Sequence, residues 1–113
     1  MRDPDDLSAR GPHPVGVATL AVPDPENPGR VLPTDVWYPA DESARGRDAG
    51  AEHPFGQSHA AAAGAPPAAG EFPLLAFSHG NSGLRRQSTF LTTHLASWGF
   101  VVVAPDHVGN TFP

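Results

Sequence analysis

Phe72-Pro73-Leu74-Leu75-Ala76-Phe77, followed by Ser78-His79-Gly80-Asn81-Ser82-Gly83, is the stretch on which the fold turns. Its first six residues make a continuous apolar run, as in a strand covered on both faces. The next six make a glycine-rich turn. From Leu84 to Trp98 the apolar positions Leu84, Leu91, Leu95 and Trp98 fall within one helical arc, with Phe90 at its edge. Gly99 is placed to stop that helix. Phe100-Val101-Val102-Val103-Ala104 is a second buried strand, ended by Pro105. Strand, glycine turn, helix and strand within about 35 residues predict a right-handed βαβ unit with parallel strands.

Upstream the pattern is weaker but readable. Val15, Val17, Thr19 and Ala21 share one parity while Leu20 and Val22 sit on the other, which suits one strand of an antiparallel pair. Pro23 to Gly29 is dense with turn formers, and a second strand runs from Val31 to Tyr38. Pro33 confines the start of that strand to an edge position. The two strands predict a hairpin with a long loop. Residues 40–71 are different material, dominated by Ala, Gly, Pro, Ser and His with no apolar period. Such a composition cannot bury enough surface to offset its ordering entropy, so a flexible surface insertion is expected there. Residues 1–12 are polar, carry Pro4 and Pro12, and are expected to be a disordered lead-in. The expected organisation is therefore a partial α/β domain over 13–113, interrupted at 40–71.

Composition narrows the function classes. A chain of 113 residues permits one small domain. It contains no Cys, which excludes disulfide scaffolds, zinc-thiolate sites and a cysteine nucleophile within these residues. The net charge of -5 argues against a nucleic-acid or anionic-membrane partner reached through a basic face. That charge lies entirely before residue 57, and the second half is balanced. No apolar run approaches the ~18 residues of a membrane span, and Met1-Arg2-Asp3-Pro4 lacks the apolar core of a signal peptide. A cytoplasmic protein is the expectation. No two His share a metal-binding spacing on an expected element, so neither a metal nor a cofactor is expected.

Residues 73–83, taken with Leu95-Ala96-Ser97-Trp98-Gly99-Phe100 and Val101-Val102-Val103-Ala104-Pro105-Asp106-His107, resemble the N-terminal portion of an α/β-hydrolase. More narrowly they resemble bacterial ester hydrolases related to platelet-activating-factor acetylhydrolases, dienelactone hydrolases and cutinases. The strand ending Asp35-Val36-Trp37-Tyr38-Pro39 also fits how those proteins begin. The resemblance is close over 72–111 and loose over 13–39.

The resemblance implies a role for His79–Gly83. Acyl transfer builds negative charge on the carbonyl oxygen, which preorganised backbone N–H groups stabilise. In the α/β-hydrolase scheme one donor comes from the loop after the third strand and the other from the residue after the nucleophile. Carried over by position, the loop donor is the amide of Asn81, with Gly80 and His79 shaping the loop. Gly80 and Gly83 let the backbone turn tightly and approach substrate without a Cβ. The bland alternative is a strand-to-helix turn that touches no ligand. The expected substrate is a small-molecule or lipid-like ester.

His107 follows the second buried strand at the carboxyl edge, where α/β sheets bind ligands, and is a candidate for the substrate cleft. His94 falls inside the apolar arc and reads as a satisfied core imidazole. His13, His53 and His59 lie in weakly patterned stretches. Asp106, His107 and His79 cannot form the triad, because in this fold the nucleophile precedes the acid and the acid precedes the His. Asp106 fits a local turn role, and Arg85-Arg86 a solvated surface with an anionic substrate group as the alternative. Gly56-Gln57-Ser58-His59-Ala60 superficially matches a nucleophile elbow, but Ala51-Glu52-His53-Pro54-Phe55 is not the buried strand an elbow needs.

The expected protein is thus the N-terminal portion of a serine carboxylic-ester hydrolase whose nucleophile, acid and His lie beyond residue 113, inactive by itself. Two alternatives stay open. One is a noncatalytic, degenerate hydrolase half that binds a partner through its open sheet. The other is a lactone hydrolase with a Cys nucleophile.

Overall fold

The two patterned stretches before residue 40 fold onto each other as a hairpin. A computed structural model of the chain describes residues 6–27, 29–47, 61–77 and 89–105. β1 (Val15–Pro23) and β2 (Val31–Pro39) pair antiparallel, from Val15 opposite Pro39 to Pro23 opposite Val31. Asp24 organises the connection. Its amide donates to the Arg30 carbonyl at 3.0 Å, its carboxylate accepts from the Glu26 amide at 3.0 Å, and the Arg30 Nε lies 3.5 Å from it. Gly29, at φ +88°, takes the left-handed conformation that this turn requires.

Three further strands complete the sheet: β3 (Ala62–Ala63), β4 (Leu74–Ala76) and β5 (Val101–Pro105), with helix α1 (Thr89–Ser97) between the last two. The strand order is β3-β1-β2-β5-β4. β4 and β5 are parallel, as the βαβ pattern predicts, and β5 runs antiparallel to β2. The second strand of the unit therefore docks inward on the hairpin, and the first is left outside. β5 covers β2 only from Thr34 to Trp37, so Pro33 sits where β2 outruns its neighbour and no ladder bond is forfeited on that side.

The core gathers on the face that α1 covers. Val15, Val17, Trp37, Val102, Ala104, Ala61 and Ala96 are buried together, with Phe77, Leu95 and Phe100 packed around them. Trp37, opposite Val17 on one side and Val102 on the other, is wholly buried at the sheet's centre.

Four local expectations meet a different arrangement. The helix buries Thr92, Thr93, Ala96 and Ser97, while Leu91 is exposed and Leu95 and Trp98 are half-buried. Small side chains face inward because the Trp37 ring already fills the space beneath. β4 is exposed along its length, Leu74 at 65%, because it is an edge strand rather than one covered on both faces. Within 40–71, Ala62–Ala63 pairs parallel with β1, Ala61 and Ala62 are buried, and Glu42–Ala44 forms a 3-10 turn. Backbone pairing requires no side-chain pattern, so composition does not reveal it. Residues 6–12 of the expected lead-in lie along α1, with Gly11 buried.

The 3-10 turn is held by charge. The Asp41 side chain accepts from the Ser43 amide at 3.0 Å, and Arg45 bonds the Glu42 carboxylate at 2.6 and 2.7 Å while also reaching the Pro12 carbonyl at 2.7 Å. The hydrogen bond from Arg45 holds the Glu42 carboxyl below its ordinary value, and the bonds from Ser43 lower that of Asp41.

Two outcomes follow from this packing. A Cβ on Gly16 would lie 2.5 Å from the Tyr38 ring, whose hydroxyl is tied to the Ala65 carbonyl at 2.5 Å. Gly16→Ala should therefore destabilise the chain by about 1–3 kcal/mol in urea denaturation, the usual range for overpacking; an unchanged midpoint would contradict the packing. Depressed carboxyl values mean that the Arg45 clamp is complete above the ordinary carboxylate range and is lost as pH falls through the lowered values. An NMR titration should place the Glu42 midpoint below that of a Glu in an unstructured peptide.

Candidate active site

The parallel pair β4–β5 defines one edge of the sheet at which both expected site segments originate. The Phe77 amide donates to the Val103 carbonyl at 2.8 Å, which extends the pairing one residue past Ala76. From that point the chain enters 78–88, the span that carries His79, Gly80 and Asn81, and re-emerges in α1 at Thr89. β5 ends at Pro105, and His107 follows two residues later. His79, Gly80, Asn81 and His107 all lie outside the described residues, as do Ser58, Arg85, Arg86 and Asp106.

What is described is the frame that carries them. Ala76 stands opposite Val103, so β5 runs two residues past the end of β4 at their shared carboxyl edge. β2 runs the other way and brings Thr34 opposite Pro105 and Asp35 opposite Ala104. Asp35 is completely buried and accepts a hydrogen bond from the Thr19 hydroxyl at 2.5 Å. A carboxylate inside the sheet, one residue from the end of β5, was not singled out by the residue pattern. Its signal was present, since Asp35 shares the inward parity of Trp37.

The described histidines serve the fold. The His94 Nε2–H donates to the Leu7 carbonyl at 2.8 Å, which satisfies the imidazole, although the side chain is half-buried rather than in the core. His13 meets Phe72 edge-on, with ring centroids 5.5 Å apart. Burial raises the Tyr38 hydroxyl above its ordinary value, but Tyr38 points to the Ala65 side of the sheet, away from β4. A cleft of about 320 Å³ between Ser43, Arg47 and the β3 turn also lies at that opposite edge. Among the described residues, no group of three or more His, Asp and Glu could hold a metal, and no helix is long and apolar enough to cross a membrane.

Comparison with known proteins agrees with this frame. The family model described as Chlorophyllase matches residues 51–112, more than half of the chain, and spans the glycine turn, α1 and β5. Among solved structures, a ferulic acid esterase from Streptomyces cinnamoneus superposes with a TM-score of 0.72 at 30% sequence identity. The match covers 89% of this chain and 36% of the esterase, so the chain spans about a third of that protein's length. No curated protein matches. The relationship to ester hydrolases expected from residues 72–111 therefore holds, and the narrower grouping is with the chlorophyllases. The five-stranded sheet, with its antiparallel hairpin and parallel β4–α1–β5 unit, is an N-terminal piece of an α/β-hydrolase fold, and the chain belongs to the chlorophyllase family.

Proposed function

We propose that this chain supplies the oxyanion-hole loop of a serine carboxylic-ester hydrolase. The observation that carries the reading is the continuity of β4 with His79-Gly80-Asn81-Ser82-Gly83 at the carboxyl edge of a parallel pair, within a span that matches an ester-hydrolase family. In this reading the ester carbonyl lies against the Asn81 amide and the amide of the residue after the nucleophile. A serine Oγ, deprotonated by its His, adds to the acyl carbon as the carbonyl π pair moves onto oxygen. The two N–H groups hold that oxyanion, and its collapse expels the alkoxide, which takes the proton from the His. Water then repeats the sequence on the acyl-enzyme. His79 and Gly80 shape the turn, and His107 lines the cleft that takes the acyl or alcohol part.

The nucleophile, acid and His belong, in this proposal, to sequence after residue 113. A G-x-S-x-G elbow about 40–60 residues further on, the span of a βαβ connection, would support it, and a Cys in place of the Ser would turn it toward lactones. One observation favours a second reading. β4 leaves an exposed apolar edge, Leu74 at 65% and Leu75 at 36%, which suits a noncatalytic half that pairs with a partner chain. An authentic stop codon after Pro113 would decide for that reading.

Two measurements test the enzyme proposal. The 113-residue chain alone should hydrolyse a short p-nitrophenyl ester no faster than buffer, because in this reading the nucleophile lies outside it. Saturable turnover that disappears in Ser58→Ala would overturn this. In the enzyme completed by its nucleophile segment, Asn81→Ala keeps the amide and should change turnover only modestly. Asn81→Pro removes the donor and should lower kcat roughly 10²–10³-fold, with circular dichroism as the folding control. A folded Asn81→Pro enzyme with near wild-type turnover would reduce His79–Gly83 to a simple turn.

A further inference from the structure

Residues 7–13 contact α1 with a regularity that a loose lead-in would not have. The Leu7 carbonyl accepts from His94 Nε2 at 2.8 Å, and the Ala9 carbonyl accepts from Trp98 Nε1 at 2.9 Å. The Gly11 amide donates to Ser97 Oγ at 2.8 Å, and the His13 amide donates to the Ser97 carbonyl at 3.0 Å. Every second residue thus offers one main-chain group to the last turn of the helix or to Trp98 just after it. We propose that residues 7–13 are a strap that sets the position of α1, with Ser97 and His94 as positioning residues and Gly11 as its seat.

The helix needs such a device. Nine residues are too few to be stable alone, and a buried face of Thr92, Thr93, Ala96 and Ser97 offers little apolar area for packing. Its carboxyl end is closed locally by a Schellman motif. Gly99, at φ +102°, bonds the Ala96 carbonyl at 3.1 Å, and the Phe100 amide bonds that of Leu95 at 3.2 Å. Two terminal carbonyls remain, and Ser97 answers for both. Its hydroxyl donates to the His94 carbonyl at 2.6 Å, and its own carbonyl takes the strap's His13 amide. Gly11 is required for close approach, since a Cβ there would lie 2.2 Å from the Ser97 carbonyl oxygen. The strap is fixed in turn by Arg45 at the Pro12 carbonyl and leads directly into β1. It therefore references the helix to the hairpin.

The consequence for catalysis rests on the reading of His79–Gly83 as the oxyanion loop. That span is tethered between β4 and the first turn of α1, so a helix free to slide would carry one end of the loop with it.

Hydrogen exchange on the full chain tests the strap without any need for activity. Gly11→Ala and Ser97→Ala should each speed exchange of the α1 amides about tenfold, the scale of losing one or two hydrogen bonds. The β1–β2 amides should keep their rates. Unchanged protection of α1 in both variants overturns the strap. So does equal acceleration in hairpin and helix, which would make these residues general supports of the core. In the completed enzyme the same two variants should lower kcat about tenfold with KM within about twofold. Loosened α1 amides with an unchanged kcat would overturn the positioning role. Failure of the oxyanion reading itself is registered separately, by Asn81→Pro, and leaves the exchange result independent of it.

Discussion

Burial of Trp37 at the middle of β2 is the constraint on which the other contacts depend. An indole of this size removes about 150–250 Å² from water, or about 4–6 kcal/mol at the usual area coefficient. It can do so only if three things surround it: Val17 from β1, Val102 from β5, and the small inner face of α1 above. Each of these comes from a different part of the chain. The hairpin alone would expose one side of the ring, and the β4–α1–β5 unit alone would have no large side chain at its centre. Trp37 is thus the point at which the two halves become one sheet.

The order of strands follows from this junction. β5 carries Val102 and Ala104 on the inward face and must lie beside β2 to cover Trp37, which leaves its parallel partner β4 at the edge. That arrangement sends the chain after β4 and the chain after β5 out of the same side of the sheet. β2, running in the opposite direction, brings buried Asp35 close beneath that side, where it accepts from the Thr19 hydroxyl of β1. A buried carboxylate there keeps the sheet from being uniformly apolar where a ligand-binding edge is expected in α/β proteins. The charged 3-10 turn and the Arg47 cleft occupy the other margin, remote from the strands that lead into the glycine turn.

Membership of the chlorophyllase family and likeness to a ferulic acid esterase agree on ester hydrolysis as the common chemistry. The described histidines and the carboxylates of the 3-10 turn are tied into the fold. His94 and His13 are engaged with a carbonyl and an aromatic ring, and the carboxylates of Asp41 and Glu42 stabilise a surface turn.

The elements and their class are legible in local residue patterns. Alternating Val15, Val17 and Trp37, the apolar runs around Leu75 and Val102, and Gly99 at a helix end are local patterns, and local sterics and hydrophobic burial suffice to convert them into a hairpin and a βαβ unit. The glycine turn, read with those neighbours, also pointed to the hydrolase relationship. Long-range packing sets which face of α1 is buried, joins Ala62–Ala63 to the sheet, leaves β4 exposed and lays residues 7–13 against the helix. The physical reason is the same throughout. These contacts are made by main-chain groups, small side chains and the space left by Trp37, and none of those leaves a periodic hydrophobic trace. Asp35 is the intermediate case, since its inward parity was legible whereas its Thr19 partner, sixteen residues away, became visible only once the strands were in register.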